Sequence, residues 1–305
     1  MTRQAALVVA AAAVVVASLA ACGAGEGPSP SVVRRTASPS PTGTPSPAPT
    51  PSPSPSPEAT GTILALGDSL AVGAGATRAD ETGYVARLYQ ALSRPGAAPH
   101  VTALRNLAVS GETSTSMIRD GQLGEAIDAI AAADPRVALV TLDIGGNDLL
   151  RLLGTDACAA DPLGADCLQL LALTLVDFEA NYHQILDELT TALDEHAPTA
   201  RLAVMTYFNP FSGTDASHEA AAELALLGAD GRLDCEADDP NARGMNDIIA
   251  CVGEELGAIP IDIQPAFAGL GLELTHIASE DIHANDRGYE VIADLFAAAL
   301  ERQAR

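Results

Sequence analysis

Ile63-Leu64-Ala65-Leu66-Gly67-Asp68-Ser69-Leu70 is the stretch on which the fold turns, and the small residues Ala71-Val72-Gly73-Ala74-Gly75 follow it. Four apolar residues closed by a glycine have the length and boundary of a strand buried on both faces, as strands of a parallel sheet are. The Ser69 hydroxyl then stands just past the strand's carboxyl end, the edge at which open α/β sheets carry their sites. That position makes Ser69 a candidate nucleophile. Gly, Asp and Ser are also ordinary turn formers, so the rest of the chain has to decide.

Outward from this stretch, apolar strand-like runs recur at Val101–Val109, Val137–Ile144, Arg201–Phe208 and Ile259–Ile263. Helical periodicity lies between them at Tyr84–Ser93, Gly124–Ala133, Leu168–His196 and Asn241–Leu256, with a last helix over Asp286–Arg302. Strand and helix in alternation predict a three-layer α/β/α sandwich around a parallel sheet of about five strands. Gly154–Asp166 and Ser212–Asp239 interrupt the alternation and read as insertions on the rim of the site.

Toward the amino terminus the chain changes character. Arg3, an apolar run from Ala5 to Val16, and Leu19-Ala20-Ala21-Cys22 read as a secretory signal over residues 1–21, ending at a sequence that resembles a bacterial lipobox. Cys22 is then the expected lipidation site. Residues 22–60 are a tether: Pro28 to Pro57 holds 11 of the chain's 20 prolines, alternating with Ser and Thr. Such a segment buries no core and extends as polyproline II over roughly 90 Å. Residues 61–305, roughly 245 of them, form one domain. The expected location is extracytoplasmic, on the membrane through the Cys22 anchor, or secreted if Cys22 carries no lipid.

Composition excludes several classes of function. The net charge is −24, which repels phosphate backbones and disfavours nucleic acid as a partner. All 16 basic residues are Arg, so a Walker lysine, a Schiff-base lysine and a Ser-x-x-Lys mechanism are ruled out. Cys158, Cys167, Cys235 and Cys251 form an even set in an exported domain, and nearest-neighbour disulfides (Cys158 with Cys167, Cys235 with Cys251) are expected. Neither pair has zinc-ligand spacing, and His218-Glu219 lacks the second His of a zincin motif. We therefore expect no metal and no cofactor.

Four blocks stand at successive strand ends: Gly67-Asp68-Ser69-Leu70, Asn106-Leu107-Ala108-Val109-Ser110-Gly111, Gly145-Gly146-Asn147-Asp148, and Asp281-Ile282-His283-Ala284-Asn285-Asp286-Arg287-Gly288-Tyr289. In this order they resemble the SGNH (GDSL) hydrolases, a family of serine esterases and lipases with a flavodoxin-like fold. The resemblance implies Ser69 as nucleophile, His283 as general base, and an oxyanion hole made of the Ser69 N–H, the Gly111 N–H and the Asn147 amide. The chemistry agrees. Preorganised donors stabilise a tetrahedral oxyanion by ~10²–10³ in rate each, and a neutral amide such as Asn147 donates at every accessible pH. His283 has to take the Ser69 proton and return it to the leaving alkoxide. His100, His183, His196, His218 and His276 sit in no comparable block, although His276 is close enough in sequence to line the pocket.

The third member of the triad departs from the family pattern, which places Asp three residues before the His. Glu280 occupies that position here and Asp281 stands two before. Spacing favours Glu280 and leaves Asp281 a turn or capping role; a backbone carbonyl orienting the ring is the third arrangement. The α/β-hydrolase elbow Gly-x-Ser-x-Gly is absent, since Ala71 follows Leu70. The resemblance thus implies a serine esterase or lipase acting through an acyl-Ser69 intermediate on a small-molecule, lipid or glycan ester, as a monomer. The alternatives are a carbohydrate O-acetylesterase, a lysophospholipase or thioesterase of the same fold, and a non-catalytic surface-binding lipoprotein.

Overall fold

The computed structural model describes residues 60–132, 136–233, 235 and 243–304. The expected signal sequence, Cys22 and the expected tether up to residue 59 lie outside the described residues, and Thr60 belongs to the first strand. Five strands form the sheet: β1 (Thr60–Gly67), β2 (His100–Asn106), β3 (Val137–Asp143), β4 (Arg201–Met205) and β5 (Ile259–Ile261). Every pairing is parallel and the spatial order is β2-β1-β3-β4-β5. All seven residues of β3 are buried, as a central parallel strand covered on both faces requires. The chain leaves β1 toward one edge and returns to the other side at β3, so the topological switch point lies between the ends of these two strands.

The helices are α1 (Ser69–Val72), α2 (Ala79–Thr82), α3 (Tyr84–Leu92), α4 (Ser114–Arg119), α5 (Gln122–Ala131), α6 (Gly146–Leu153), α7 (Asp156–Ala160), α8 (Ala165–His196), α9 (Ala216–Leu227), α10 (Met245–Glu255), α11 (Gln264–Phe267), α12 (Gly271–Leu274) and α13 (Asp286–Gln303). One layer is built on α3 and α13, joined by Tyr84 stacking on Phe296 with ring centroids 5.4 Å apart. The other packs α5 and α10 against α8. Among the described residues, no helix is long and apolar enough to cross a membrane.

Strand ends account for the main departures from the expected boundaries. The second strand stops at Asn106 instead of Val109, although the Leu107 and Val109 N–H groups still donate to Ala65 O at 2.8 Å and Gly67 O at 3.0 Å. The fourth stops at Met205 instead of Phe208, because the chain turns there into the site. The two expected insertions carry short helices, α7 and α9. Cys158–Cys167 and Cys235–Cys251 are bonded, the pairing expected from their order.

Candidate active site

Ser69 is the first residue of α1. Asp68 caps that helix, its Oδ1 accepting the Leu70 N–H at 2.9 Å. A cap of this kind fixes the turn that leaves β1 and leaves the Ser69 N–H without an intrahelical acceptor. Asn147 sits in the first turn of α6, beyond β3 and across the switch point from Ser69. Gly111 follows β2 with φ of +82° and open space where a Cβ would stand. Its backbone conformation, rather than crowding, is what calls for glycine. Among the described residues its N–H donates to no protein acceptor.

His283 is carried by the segment between α12 and α13. Thr275 and Ala284 pair in an antiparallel bridge, and His276 N donates to His283 O at 2.9 Å. Asn285 caps α13, its Oδ1 accepting the Arg287 and Gly288 N–H groups, while its amide donates to Glu273 O at 2.8 Å. This segment is fastened to the loop after α1. His276 Nε2 lies 2.8 Å from Gly75 O, and the Tyr289 hydroxyl donates to Ala74 O at 2.5 Å. Asp286 accepts the Thr77 N–H at 2.8 Å and the Thr82 hydroxyl at 2.7 Å. His276 is therefore a tie between the two loops and not a pocket residue.

These ties place His283 Nε2 2.9 Å from Ser69 Oγ. The other ring nitrogen, Nδ1, lies 2.5 Å from Asp281 Oδ1, which also accepts the His283 backbone N–H at 3.0 Å. The backbone bond, followed by the ring, holds the Asp281 carboxyl below the usual carboxylate range. An ionised Asp281 makes Nδ1 the donor, which leaves Nε2 to accept from the serine hydroxyl.

Glu280 does not meet the ring, and the expectation drawn from spacing is corrected here. Glu280 is exposed and has φ of 60°, the single non-glycine residue with positive φ among those described. That left-handed turn directs the chain so that the next residue, Asp281, folds back on His283 in an Asx turn. A residue two before the His serves because the side chain reaches its own i+2 backbone and the ring together.

Buried acids surround the serine. Asp68 is 2 % exposed, and burial pushes its carboxyl up to about 6 against the pull of the Leu70 N–H and the Tyr207 hydroxyl. Asp143, wholly buried at the end of β3, has no hydrogen-bond partner for either oxygen among the described residues. Burial, and then the neighbouring Asp68, push it well above the usual range. Asp148 accepts the Ser114 N–H at 2.9 Å and hydroxyl at 2.7 Å, which ties α6 to the start of α4. Gln122 bonds both backbone groups of Gly67, at 2.6 Å and 3.0 Å, and donates to Glu112. Sequence reading passed over Tyr207, Glu112 and Gln122. Tyr207, just past the fourth strand's carboxyl end, was the one with a positional signal, since the chain beyond the end of each of β1, β2 and β3 supplies a part of the site.

An apolar pocket opens beside Ser69 and His283 with about 1110 Å³ of empty space, its open mouth included. Leu149, Leu150 and Leu153 of α6, Leu171 of α8, and Ala222 and Leu226 of α9 line it. Both insertions contribute, through Cys158 and Pro162 and through α9. Among the described residues, no group of three or more His, Cys, Asp and Glu side chains is arranged to hold a metal ion.

A five-stranded parallel sheet carrying these blocks at its carboxyl edge defines the class, an α/β sandwich of the SGNH-hydrolase architecture. A family model described as GDSL-like lipase/acylhydrolase matches residues 65–291, and the chain belongs to that family of hydrolases. Among solved structures, the chain is similar to the lipase Lip_vut3 from a goat rumen metagenome, with 20 % identity, a TM-score of 0.52, and coverage of 78 % of this chain and 96 % of that one. It is similar to phospholipase A1 from Streptomyces albidoflavus NA297, with 17 % identity, a TM-score of 0.53, and coverage of 79 % and 100 %. The extracellular lipase of Streptomyces rimosus shares 21 % identity with a TM-score of 0.50, over 78 % of this chain and 99 % of that one. At these identities the likeness is one of fold. No curated protein matches the chain.

Proposed function

We propose that the domain hydrolyses carboxylic esters that carry an apolar acyl chain, through a covalent acyl-Ser69 intermediate. The observation that carries the reading is the continuous contact from Ser69 Oγ through the two nitrogens of His283 to Asp281, at 2.9 Å and 2.5 Å. As Oγ attacks the ester carbonyl, its proton passes to Nε2, and Asp281 stabilises the imidazolium through Nδ1–H. The Ser69 and Gly111 N–H groups and the Asn147 amide receive the negative charge on the carbonyl oxygen. His283 returns the proton to the leaving alkoxide, and then takes one from the water that frees the acid.

The pocket beside Ser69 supports an acyl chain longer than acetyl. Its wall is mostly leucine and alanine, closed by Phe208, Phe211, His218 and the Cys158–Cys167 disulfide, and among the described lining residues few polar side chains stand apart from those beside Ser69. The protein is placed outside the cytoplasm on a lipidated Cys22, a reading supported by the signal-like amino terminus and by the two disulfides.

A p-nitrophenyl ester series from acetate to palmitate, run beside acetylxylan, tests the substrate. The account expects kcat/KM to rise at least about tenfold from acetate toward medium chains, since each buried CH₂ contributes about 0.8 kcal/mol. Acetate or acetylxylan as the best substrate would refute the assignment of the pocket. Intact-mass analysis of the membrane fraction tests the anchor, which a mature protein without diacylglycerol on Cys22 would remove.

A further inference from the structure

Neither Asp68 nor Tyr207 takes part in acyl transfer as written above, yet both are buried against the site. Asp68 Oδ2 accepts two hydrogen bonds, from the Tyr207 hydroxyl at 2.7 Å and from the Asn147 amide at 3.3 Å. The same Asn147 nitrogen donates to Glu112 O at 2.9 Å. Both hydrogens of the proposed oxyanion donor thus already have acceptors, and the one toward Asp68 is the longer contact. For Asn147 to stabilise the oxyanion, that N–H has to change partner as charge develops. Only a bond stronger in the transition state than in the ground state accelerates the chemistry.

A carboxylate is a strong acceptor, and charge-assisted bonds are about twice as strong as neutral ones. An Asp68 oxygen free to hold Asn147 closely would compete with the oxyanion on equal terms. The Tyr207 hydroxyl stands in the way of this, and its position is heavily fixed. Tyr207 N donates to Asn246 Oδ1 and Tyr207 O accepts from Asn246 Nδ2, both at 2.8 Å, with Asn246 buried in α10. The Tyr207 ring lies on Gly146, where a Cβ would come within 2.6 Å of Cε1. Only glycine allows the phenol that close to the residue preceding Asn147.

We propose that Tyr207 is a positioning residue for the oxyanion hole: its hydroxyl occupies Asp68 Oδ2, keeps the Asn147 amide at a long and easily exchanged distance, and so leaves one Asn147 N–H to the oxyanion. The proposal rests on the acyl-Ser69 reading. It also accounts for a buried carboxylate one residue before the nucleophile. Asp68 caps α1 with one oxygen and links the ends of β1, β3 and β4 with the other.

The test is a double-mutant cycle of Tyr207→Phe and Asn147→Ala in the full-length chain, on the best p-nitrophenyl ester. Tyr207→Phe should lower kcat about tenfold with KM within about twofold, as expected when a bond is felt only in the transition state. In the Asn147→Ala background the same change should alter kcat less than about twofold, because the group it acts through is gone. A Tyr207 effect that persists undiminished in that background, or that appears in KM, overturns the proposal. If the Tyr207→Phe variant does not fold, Asp68→Asn carries the test. Asn caps a helix as well as Asp does, so whatever this change does to kcat should shrink to less than about twofold in the Asn147→Ala background, and a change undiminished there contradicts the proposal. Wild-type protein that hydrolyses no ester removes the acyl-Ser69 reading and the proposal together. Hydrolysis with an undiminished Tyr207 effect removes the proposal alone.

Discussion

Two histidines of this domain each bind an aspartate of their own segment, and they differ in what the other ring nitrogen meets. His283 has Asp281 at 2.5 Å from Nδ1 and Ser69 at 2.9 Å from Nε2. His218 has Asp215 at 2.9 Å from Nδ1, in the first turn of α9, and its ring tilts against Phe211 at 5.4 Å. In both pairs one carboxylate oxygen accepts the ring nitrogen and the histidine's backbone N–H. Asp215 also takes the Ser217 hydroxyl, which, ahead of the His218 bonds, holds its carboxyl well below the usual range. Asp215-Ala216-Ser217-His218 even has the three-residue spacing of the family's triad, which Asp281-Ile282-His283 lacks. An Asp–His pair by itself is therefore a local turn device. What distinguishes His283 is the bridge and the capped helix that deliver its ring to the carboxyl edge of β1.

The widest separation between the two pairs should come from removing each ring. His283→Ala should lower kcat/KM for a p-nitrophenyl ester by roughly 10⁴–10⁶, as loss of a triad base does. His218→Ala, in the lining of the apolar pocket, should change it less than about threefold, and only through KM for longer acyl chains. Comparable losses in steady-state assays would break the comparison. A narrower contrast lies within the His283 segment. Asp281→Asn should cost roughly 10²–10⁴ in kcat/KM with the melting temperature little changed, by the logic of a carboxylate that fixes the tautomer. Glu280→Gln should stay within about twofold, since its side chain is exposed and has no hydrogen-bond partner among the described residues. The reverse order would return the triad to Glu280.

The sheet was legible because its signal is carried by runs of apolar residues. Ile63 to Leu66 and Val137 to Leu142 cannot be placed anywhere except between two layers of helix. Ser69, Gly111, Asn147 and His283 were legible as positions because each closes such a run or precedes the last helix. The missed features depend on distances that no single segment encodes. Glu280 against Asp281 was decided by one residue's positive φ, which is rare for a side chain with a Cβ. Tyr207 reads in sequence as the tail of an apolar strand. Its role emerges only when β4 ends early and its hydroxyl meets Asp68, 139 residues away.

The smallest effect concerns stability. Asp68, raised from 3.8 to about 6, and Asp143, raised well above 3.8, keep their protons in the folded state at a pH where the unfolded chain has released them. The folded state then binds more protons than the unfolded one, so stability falls as pH rises from about 4 to about 6 and beyond. Asp143→Asn removes one of the two groups. Thermal melts at pH 4 and pH 8 should differ less in this variant than in the wild type, by a few degrees at most. An unchanged difference would show that Asp143 is not held protonated.

The central claim is that Ser69, His283 and Asp281 act as one nucleophilic unit, and labelling with a fluorophosphonate, read by intact mass and peptide mapping, tests it most directly. The account predicts a single adduct on Ser69 in the folded wild type, lost in Ser69→Ala and reduced at least about 10³-fold in rate in His283→Ala. No adduct on folded protein, an adduct on another residue, or labelling of Ser69 at the same rate without His283 would contradict it.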